Sequence, residues 1–400
     1  RQYIYNNLTN FKKRNYHIKA ADYLAAYAQK QDKLNEYFDR IIYHYFYAGE
    51  VIQYISYKIK KASSIISVDN DFPEFLMEFS QEYIDELEQE IHKYPIPLEL
   101  SYEFILLKST FAVKTCKYEQ CLEYVDELLE LDTDENRLLK AYKLLISYGI
   151  QTYNYNIVKK NAIQALRVLK NNPNNLDFAD LLKSYALAEI SFKHYKIANK
   201  ILHRCLDIIK DRTERRSQAI RACVYNYLAY EGKYTGNYEE TIPLYKRAIS
   251  ICLTANITNG LPLFYMNIGQ SLYKVGNIQE SKRYFLKFES LCQNLYSAFS
   301  STIVKSYMAL IFFDEKRYEL SANYLREAFI CSDILQNPYE YAYLYKIAAY
   351  IKKNLLENTT TKLLPLNNIL TREYDYYFDT AAKYFKIAGL EREIIDMQKM

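Results

Sequence analysis

Ala222-Cys-Val-Tyr225-Asn-Tyr-Leu228-Ala229, followed by Gly236-Asn-Tyr238 and then by Thr241, Tyr245 and Ala248, sets out a pattern that the chain repeats. It returns as Tyr265, Ile268-Gly269, Tyr273, Gly276-Asn-Ile278, Ser281 and Phe285. It returns again as Met308-Ala309, Phe312, Arg317-Tyr318, Ser321-Ala322, Leu325 and Ala328. Outward from this stretch, a two-residue mark recurs, a small, polar or basic residue before a ring or branched one. It stands at Lys117-Tyr118, Asn154-Tyr155, His194-Tyr195, Asn237-Tyr238, Asn277-Ile278 and Arg317-Tyr318, in steps of 37, 40, 43, 40 and 40 residues. Each mark separates two runs of helical periodicity. Self-similarity at a period of about 20–50 residues is the signature of stacked supersecondary units, each burying one face against its neighbours.

The residue types fit that reading. Large side chains fill the space between the two helices of a unit, while Ala229, Gly269 and Ala309 let the backbones approach closely. Gly236 and Gly276 supply a turn conformation that other residues adopt at a cost. Weaker units precede these: Ile105 with Tyr118, Cys121 and Val125; Tyr142 with Tyr155, Ala162 and Ala165; Tyr185-Ala186 with Tyr195, Ala198 and Leu202. The order of a large residue, Leu-Gly or Leu-Ala, a Gly-x-Tyr turn, a small residue, an aromatic and Ala resembles tetratricopeptide repeats. The resemblance implies an all-α, right-handed superhelix of roughly eight to ten stacked helical hairpins, without a sheet. A period near 40 exceeds the roughly 34 residues typical of the family, as in tetratricopeptide-like units of bacterial regulators.

The expected organisation is an N-terminal helical cap and junction over 1–98, repeats over 99–335 and an irregular C-terminal helical cap over 336–400. Tyr94-Pro95-Ile-Pro97 marks the first boundary. Loops are expected at 171–175, 211–213, 258–260, 336–338 and 358–361, with Pro365 a further interruption.

Eight glycines and eight prolines among 400 residues, half of them apolar, indicate a mostly helical chain. Fifty-two basic against 48 acidic residues leave a net charge of +4, which argues against direct nucleic-acid binding. The seven cysteines form no C-x-x-C pair and read as reduced thiols of a cytoplasmic protein. No apolar stretch is long enough to span a membrane. Neither H-E-x-x-H nor G-x-S-x-G occurs, so no catalytic, cofactor-binding or metal-ligating set is expected and the chain reads as a non-enzyme.

The first fifty residues carry a second pattern: Tyr3-Ile-Tyr5-Asn-Asn-Leu8, then Arg14-Asn-Tyr16-His17-Ile18-Lys-Ala20-Ala21-Asp-Tyr23-Leu24, then Tyr43-His44-Tyr45-Phe-Tyr-Ala48-Gly49-Glu50. This resembles the junction in signal-transducing ATPases with numerous domains, where a winged helix ends and a helical-repeat sensor begins. One departure is Ala20 after Lys19, where the family has Ile before Ala. No phosphate-binding Gly-x-x-x-x-Gly-Lys-Ser/Thr loop is present. The resemblance implies that the chain is the sensor part of a longer protein, with its ATPase upstream of Arg1. Its roles would be transcription regulation or phage defence. A cytosolic peptide-pheromone receptor with similar repeats, or a generic repeat scaffold, stands as the alternative.

Candidate binding residues are those on the first helix of each hairpin that the packing pattern leaves free. In tetratricopeptide arrays that helix lines a concave groove. Counting along the pattern gives Asn226, Tyr230 and Lys233 in one unit, Met266, Gln270 and Tyr273 in the next, and Lys183 and Ser306 in flanking units. Amides can grip a peptide backbone, Lys can meet a carboxylate, and Tyr supplies rigid amphipathic area. The expected partner is a protein, peptide or small-molecule signal. His17 and His44 are read as ring-packed residues bonding locally, with a joint ligand or acid–base role as the alternative. His203 and Cys205 point to different sides of one helix. The acidic run Glu82–Glu90 reads as a solvated helix face.

Overall fold

The computed structural model describes residues 8–31, 34–66, 78–115, 117–131, 134–172, 175–258, 260–292, 301–335, 337–357 and 363–398. Cys116, most of Tyr3–Leu8 and parts of the expected loops (173–174, 259, 336 and 358–361) lie outside these residues. Twenty helices and no strand occur among the described residues. The chain forms two compact units, 1–152 and 153–400.

Unit 1 contains α1 (Asn10–Lys30), α2 (Leu34–Ala48), α3 (Val51–Ile65), α4 (Glu78–Ile91), α5 (Leu98–Lys114), α6 (Tyr118–Glu130) and α7 (Glu135–Gln151). Helices α1 and α2 pair over Ala21, Ile41 and Tyr45. Between them His17 Nδ1 meets His44 Nδ1 at 2.8 Å. The two rings therefore bond to each other across the helices. Burial lowers the pKa of both. Ile84 and Leu87 of α4 share a core with Phe104, Leu107 and Phe111 of α5. The two sides of the expected boundary at 98/99 thus meet in one apolar cluster. The acidic run is only partly a solvated face: Glu88 binds Lys108 at 2.7 Å and Glu90 binds Lys58 at 2.8 Å.

Unit 2 contains α8 (Tyr155–Val168), α9 (Leu176–Ser191), α10 (Tyr195–Ile209), α11 (Arg215–Thr235), α12 (Tyr238–Thr254), α13 (Leu261–Lys274), α14 (Ile278–Cys292), α15 (Ser301–Asp314) and α16 (Tyr318–Leu335). It continues through α17 (Pro338–Glu357), α18 (Leu364–Asn367), α19 (Tyr374–Ile387) and α20 (Glu391–Gln398). Hairpins form from α9/α10, α11/α12, α13/α14, α15/α16 and α17/α19.

The turn geometry explains the repeated mark. The residue before it is left-handed in five cases: Tyr153 (φ 52°), Lys193 (64°), Gly236 (84°), Gly276 (83°) and Lys316 (60°). The first residue of the mark then donates its N–H to the carbonyl five residues back. The bonds are His194 to Glu189, Asn237 to Gly232 and Asn277 to Leu272, each 2.8 Å, and Arg317 to Phe312, 2.9 Å. This is the Schellman closure of a helix C-terminus, and the aromatic or branched residue that follows opens the second helix.

Inside each hairpin the small residues work as the sequence implies. A Cβ on Gly269 would lie 2.4 Å from Phe285 Cε1, so the ring packs on the bare backbone. Ser281 donates to the Gly269 carbonyl and Ser321 to that of Ala309, both at 2.7 Å. Tyr245, Phe285 and Leu325, one per repeat, are fully buried; Phe285 and Leu325 each contribute about 1.5–3 kcal/mol through removal of apolar area from water, while the Tyr245 hydroxyl is buried with no hydrogen-bond partner in the protein.

The segment 336–400, expected to be irregular, contains a further hairpin. Ala381 and Phe385 of α19 are fully buried, and the Phe385 ring meets Tyr343 of α17 at 5.3 Å. Its end repeats the familiar closure: Gly389 is left-handed (φ 67°) and Leu390 donates to the Phe385 carbonyl at 2.8 Å.

Candidate functional site

Two of the buried polar clusters of unit 2 frame the candidate site. The first is centred on Lys233, near the end of α11. Its Nζ donates to Asn267 Oδ1 at 2.9 Å and to Gln270 Oε1 at 2.8 Å, both on α13. Asn267 Nδ2 donates in turn to Asn226 Oδ1 at 3.0 Å. The Tyr230 and Tyr339 rings lie 5.8 and 5.6 Å from the ammonium, within cation–π range. The helices thereby unite Asn226, Tyr230, Lys233 and Gln270.

These residues are not free, as the packing pattern had implied. Asn226 is 0% exposed, Gln270 3% and Lys233 6%. The helices α11 and α13 stand close enough for their polar side chains to bond one another, and Tyr339 of α17 covers the lysine. Two amide donors, Asn226 Nδ2 and Gln270 Nε2, are buried with no hydrogen-bond acceptor in the protein. An unpaired buried amide costs about 1–3 kcal/mol, so the cluster carries unmet hydrogen-bonding capacity.

The other expected residues lie elsewhere. Lys183 on α9 pairs with Asp180 at 2.9 Å. Ser306 is buried and donates to the Thr302 carbonyl at 2.6 Å. Met266 is buried in the packing, and Tyr273, half-buried, donates to Asp314 at 3.3 Å.

The second cluster surrounds Glu393 of α20. Its Oε1 accepts from the hydroxyls of Tyr238 and Tyr343, both at 3.3 Å, and its Oε2 from Lys274 at 3.2 Å and Lys346 at 2.5 Å. Desolvation by burial raises the Glu393 pKa, but Lys346 and Lys274 outweigh it and bring the carboxyl to about 2. For Lys233 burial dominates: the ammonium is pushed down to about 7, with Glu393 acting weakly against the shift. Asn267 was legible in the sequence, since it follows Asn226 by 41 residues, one repeat on. Glu393, outside the repeats, had no such signal.

The first cluster joins a lysine to amide side chains, and the second joins lysines and tyrosine hydroxyls to one carboxylate. What they offer is hydrogen-bond donors and two kinds of charge. His203 is exposed while Cys205 is buried with its Sγ 3.2 Å from the Ala179 carbonyl, so the two do point apart. Cys121, Cys205 and Cys252 are buried thiols pushed up to about 12 by desolvation. Among the described residues no helix is long and apolar enough to cross a membrane.

The fold is the tetratricopeptide-like helical repeat. No protein-family model matches the sequence, and no curated protein matches it. Solved structures do. A signal-transduction ATPase with numerous domains bearing a tetratricopeptide repeat sensor, from Pyrococcus horikoshii, aligns with a TM-score of 0.56 at 16% identity. The alignment covers 96% of this chain and 56% of that one. A Rap protein complexed with competence and sporulation factor aligns with a TM-score of 0.52 at 13% identity, over 86% of this chain and 97% of that one. Aspartyl phosphate phosphatase F from Bacillus subtilis gives 0.52 at 16% identity, over 88% and 93%. At such identities these matches establish the shared fold.

Proposed function

We propose that the chain is a non-catalytic recognition module, the sensor of a signal-transducing ATPase, and that its ligand binds on the first-helix face of unit 2. The observation that supports the ATPase reading is the extent of the Pyrococcus match. It takes in 96% of this chain and therefore reaches into the N-terminal segment that carries the junction phrase. The orphaned amides of Asn226 and Gln270, buried between α11 and α13, support recognition on that face in an arrangement that opens this seam, where a peptide backbone supplies the acceptors they lack. Binding switches the protein only if the ligand prefers one of two arrangements, since equal affinity for both shifts nothing. Sequencing the gene upstream of the Arg1 codon tests the ATPase reading. A phosphate-binding loop followed by a winged helix is expected, and an ordinary start codon in its place contradicts it.

A second reading, a peptide receptor, is favoured by the Rap match, which covers 97% of that chain, a protein solved with competence and sporulation factor. The two share the recognition surface and differ in what the upstream sequence encodes.

A further inference from the structure

Helix α20 is held to the repeats in an unusual way. Of its eight residues only Glu393 and Met397 are buried, and Ile395 is 52% exposed. Its salt bridge from Glu391 to Lys193 is solvated at both ends and so worth little. The Arg392 guanidinium lies over Gly236, where a Cβ would meet it at 2.0 Å. Met397 closes a shallow cleft beside Lys346, Tyr350 and Phe378. Docking therefore rests mainly on one carboxylate and one thioether, spaced one helical turn apart.

The receiving side is different in kind. Tyr238 opens α12, Lys274 ends α13, and Tyr343 and Lys346 lie on α17. Four donors from three helices of the repeat array converge on a single carboxylate that the array itself does not supply. Two ammonium groups face that one anion, with Asp396 reaching Lys274 only at 3.7 Å. A segment held by so few buried groups opens locally at low cost.

We propose that the Tyr238–Lys274–Tyr343–Lys346 cradle is a carboxylate-receiving subsite, occupied by the chain's own α20. Its external ligand is a short acidic helical peptide with an apolar side chain one turn beyond its carboxylate. This rests on the reading of unit 2 as a recognition surface and adds to it a tethered occupant that the ligand displaces.

The test uses the full chain and, as probe, a labelled synthetic peptide of sequence Leu390–Gln398. The tether gives α20 an effective concentration on the order of millimolar, so the probe binds the wild type weakly. Glu393→Gln loosens the tethered occupant and leaves the cradle intact, so probe binding tightens about tenfold or more. A probe with Gln in place of Glu393 loses the gain, as does the full chain carrying Glu393→Gln together with Lys346→Met. Equal binding of the probe to folded wild type and folded Glu393→Gln overturns the proposal, and so does equal binding of the two probes. Loss of the cooperative unfolding transition in Glu393→Gln also overturns it, since α20 is then a structural cap. Failure of the broader recognition reading has a separate signature: peptide-induced melting shifts indifferent to Asn226 and Gln270, whatever the probe does.

Discussion

Lys233 and Glu393 are both buried charges gripped by side chains from several helices of unit 2, and they are solvated in opposite ways. The ammonium meets two neutral carbonyl oxygens and two rings, and burial brings it down to about 7. The carboxylate meets two ammonium groups and two hydroxyls and falls to about 2. Neutral dipoles do not replace the hydration of a cation, whereas a surplus of opposite charge more than replaces that of an anion. One group therefore sits near its protonation midpoint at neutral pH, and the other is fixed as an ion.

The largest expected effect removes the anion's advantage. Glu393→Lys sets a third ammonium against Lys274 and Lys346. Amide exchange over Glu391–Gln398 should accelerate at least a hundredfold, roughly 3 kcal/mol or more, while α11–α16 keep their protection. Unchanged protection of α20 would break the comparison on this side.

Next comes the pH dependence of the cation. Its folded pKa lies below the unfolded one, so the folded state disfavours the charged form. Stability is then lowest below about pH 7 and rises as pH increases toward the ordinary lysine value of 10.5. Denaturant titrations should show a gain of roughly 2–4 kcal/mol between pH 7 and 10, absent in Lys233→Met. The anion runs the other way. Its folded pKa is depressed, so its contribution is complete above the ordinary 4.5 and is lost as pH falls toward about 2. Roughly 2–3 kcal/mol of α20 docking should disappear across that window, read by NMR of its amides. Glu393→Gln should flatten it.

The smallest effect concerns the amide relay. Asn267 serves both Lys233 and Asn226, so Asn267→Ala should cost about 1–2 kcal/mol of unit 2 stability. Asn226→Ala, which removes an unpaired donor as well as a bond, should cost less than about 1 kcal/mol. Thermal unfolding of the two variants orders them, and a reversal would show that Asn267 is not the hub.

Much of this was legible because the turn geometry writes itself into side chains. A left-handed residue recurs before five of the marks, and Gly236 and Gly276 announce it, although Tyr153, Lys193 and Lys316 adopt the same conformation without glycine. The forty-residue register also put Asn226, Lys233 and Gln270 on one face. Their burial was not legible, since it depends on how closely α11 and α13 approach and on Tyr339, more than a hundred residues from Lys233. The α17/α19 hairpin was missed because α18 and its flanks replace the two-residue mark. Glu393 was missed because α20 has no repeat partner to set its register.

The most direct measurement is the melting temperature of the full chain against a panel of short acidic and neutral peptides, for wild type and for the double variant Asn226→Ala/Gln270→Ala. A ligand that binds only the folded state raises the midpoint by mass action. Recognition on the first-helix face predicts that at least one acidic peptide raises the wild-type midpoint by several degrees, and the double variant's far less. An equal rise in both proteins, or no rise with any peptide, would contradict it.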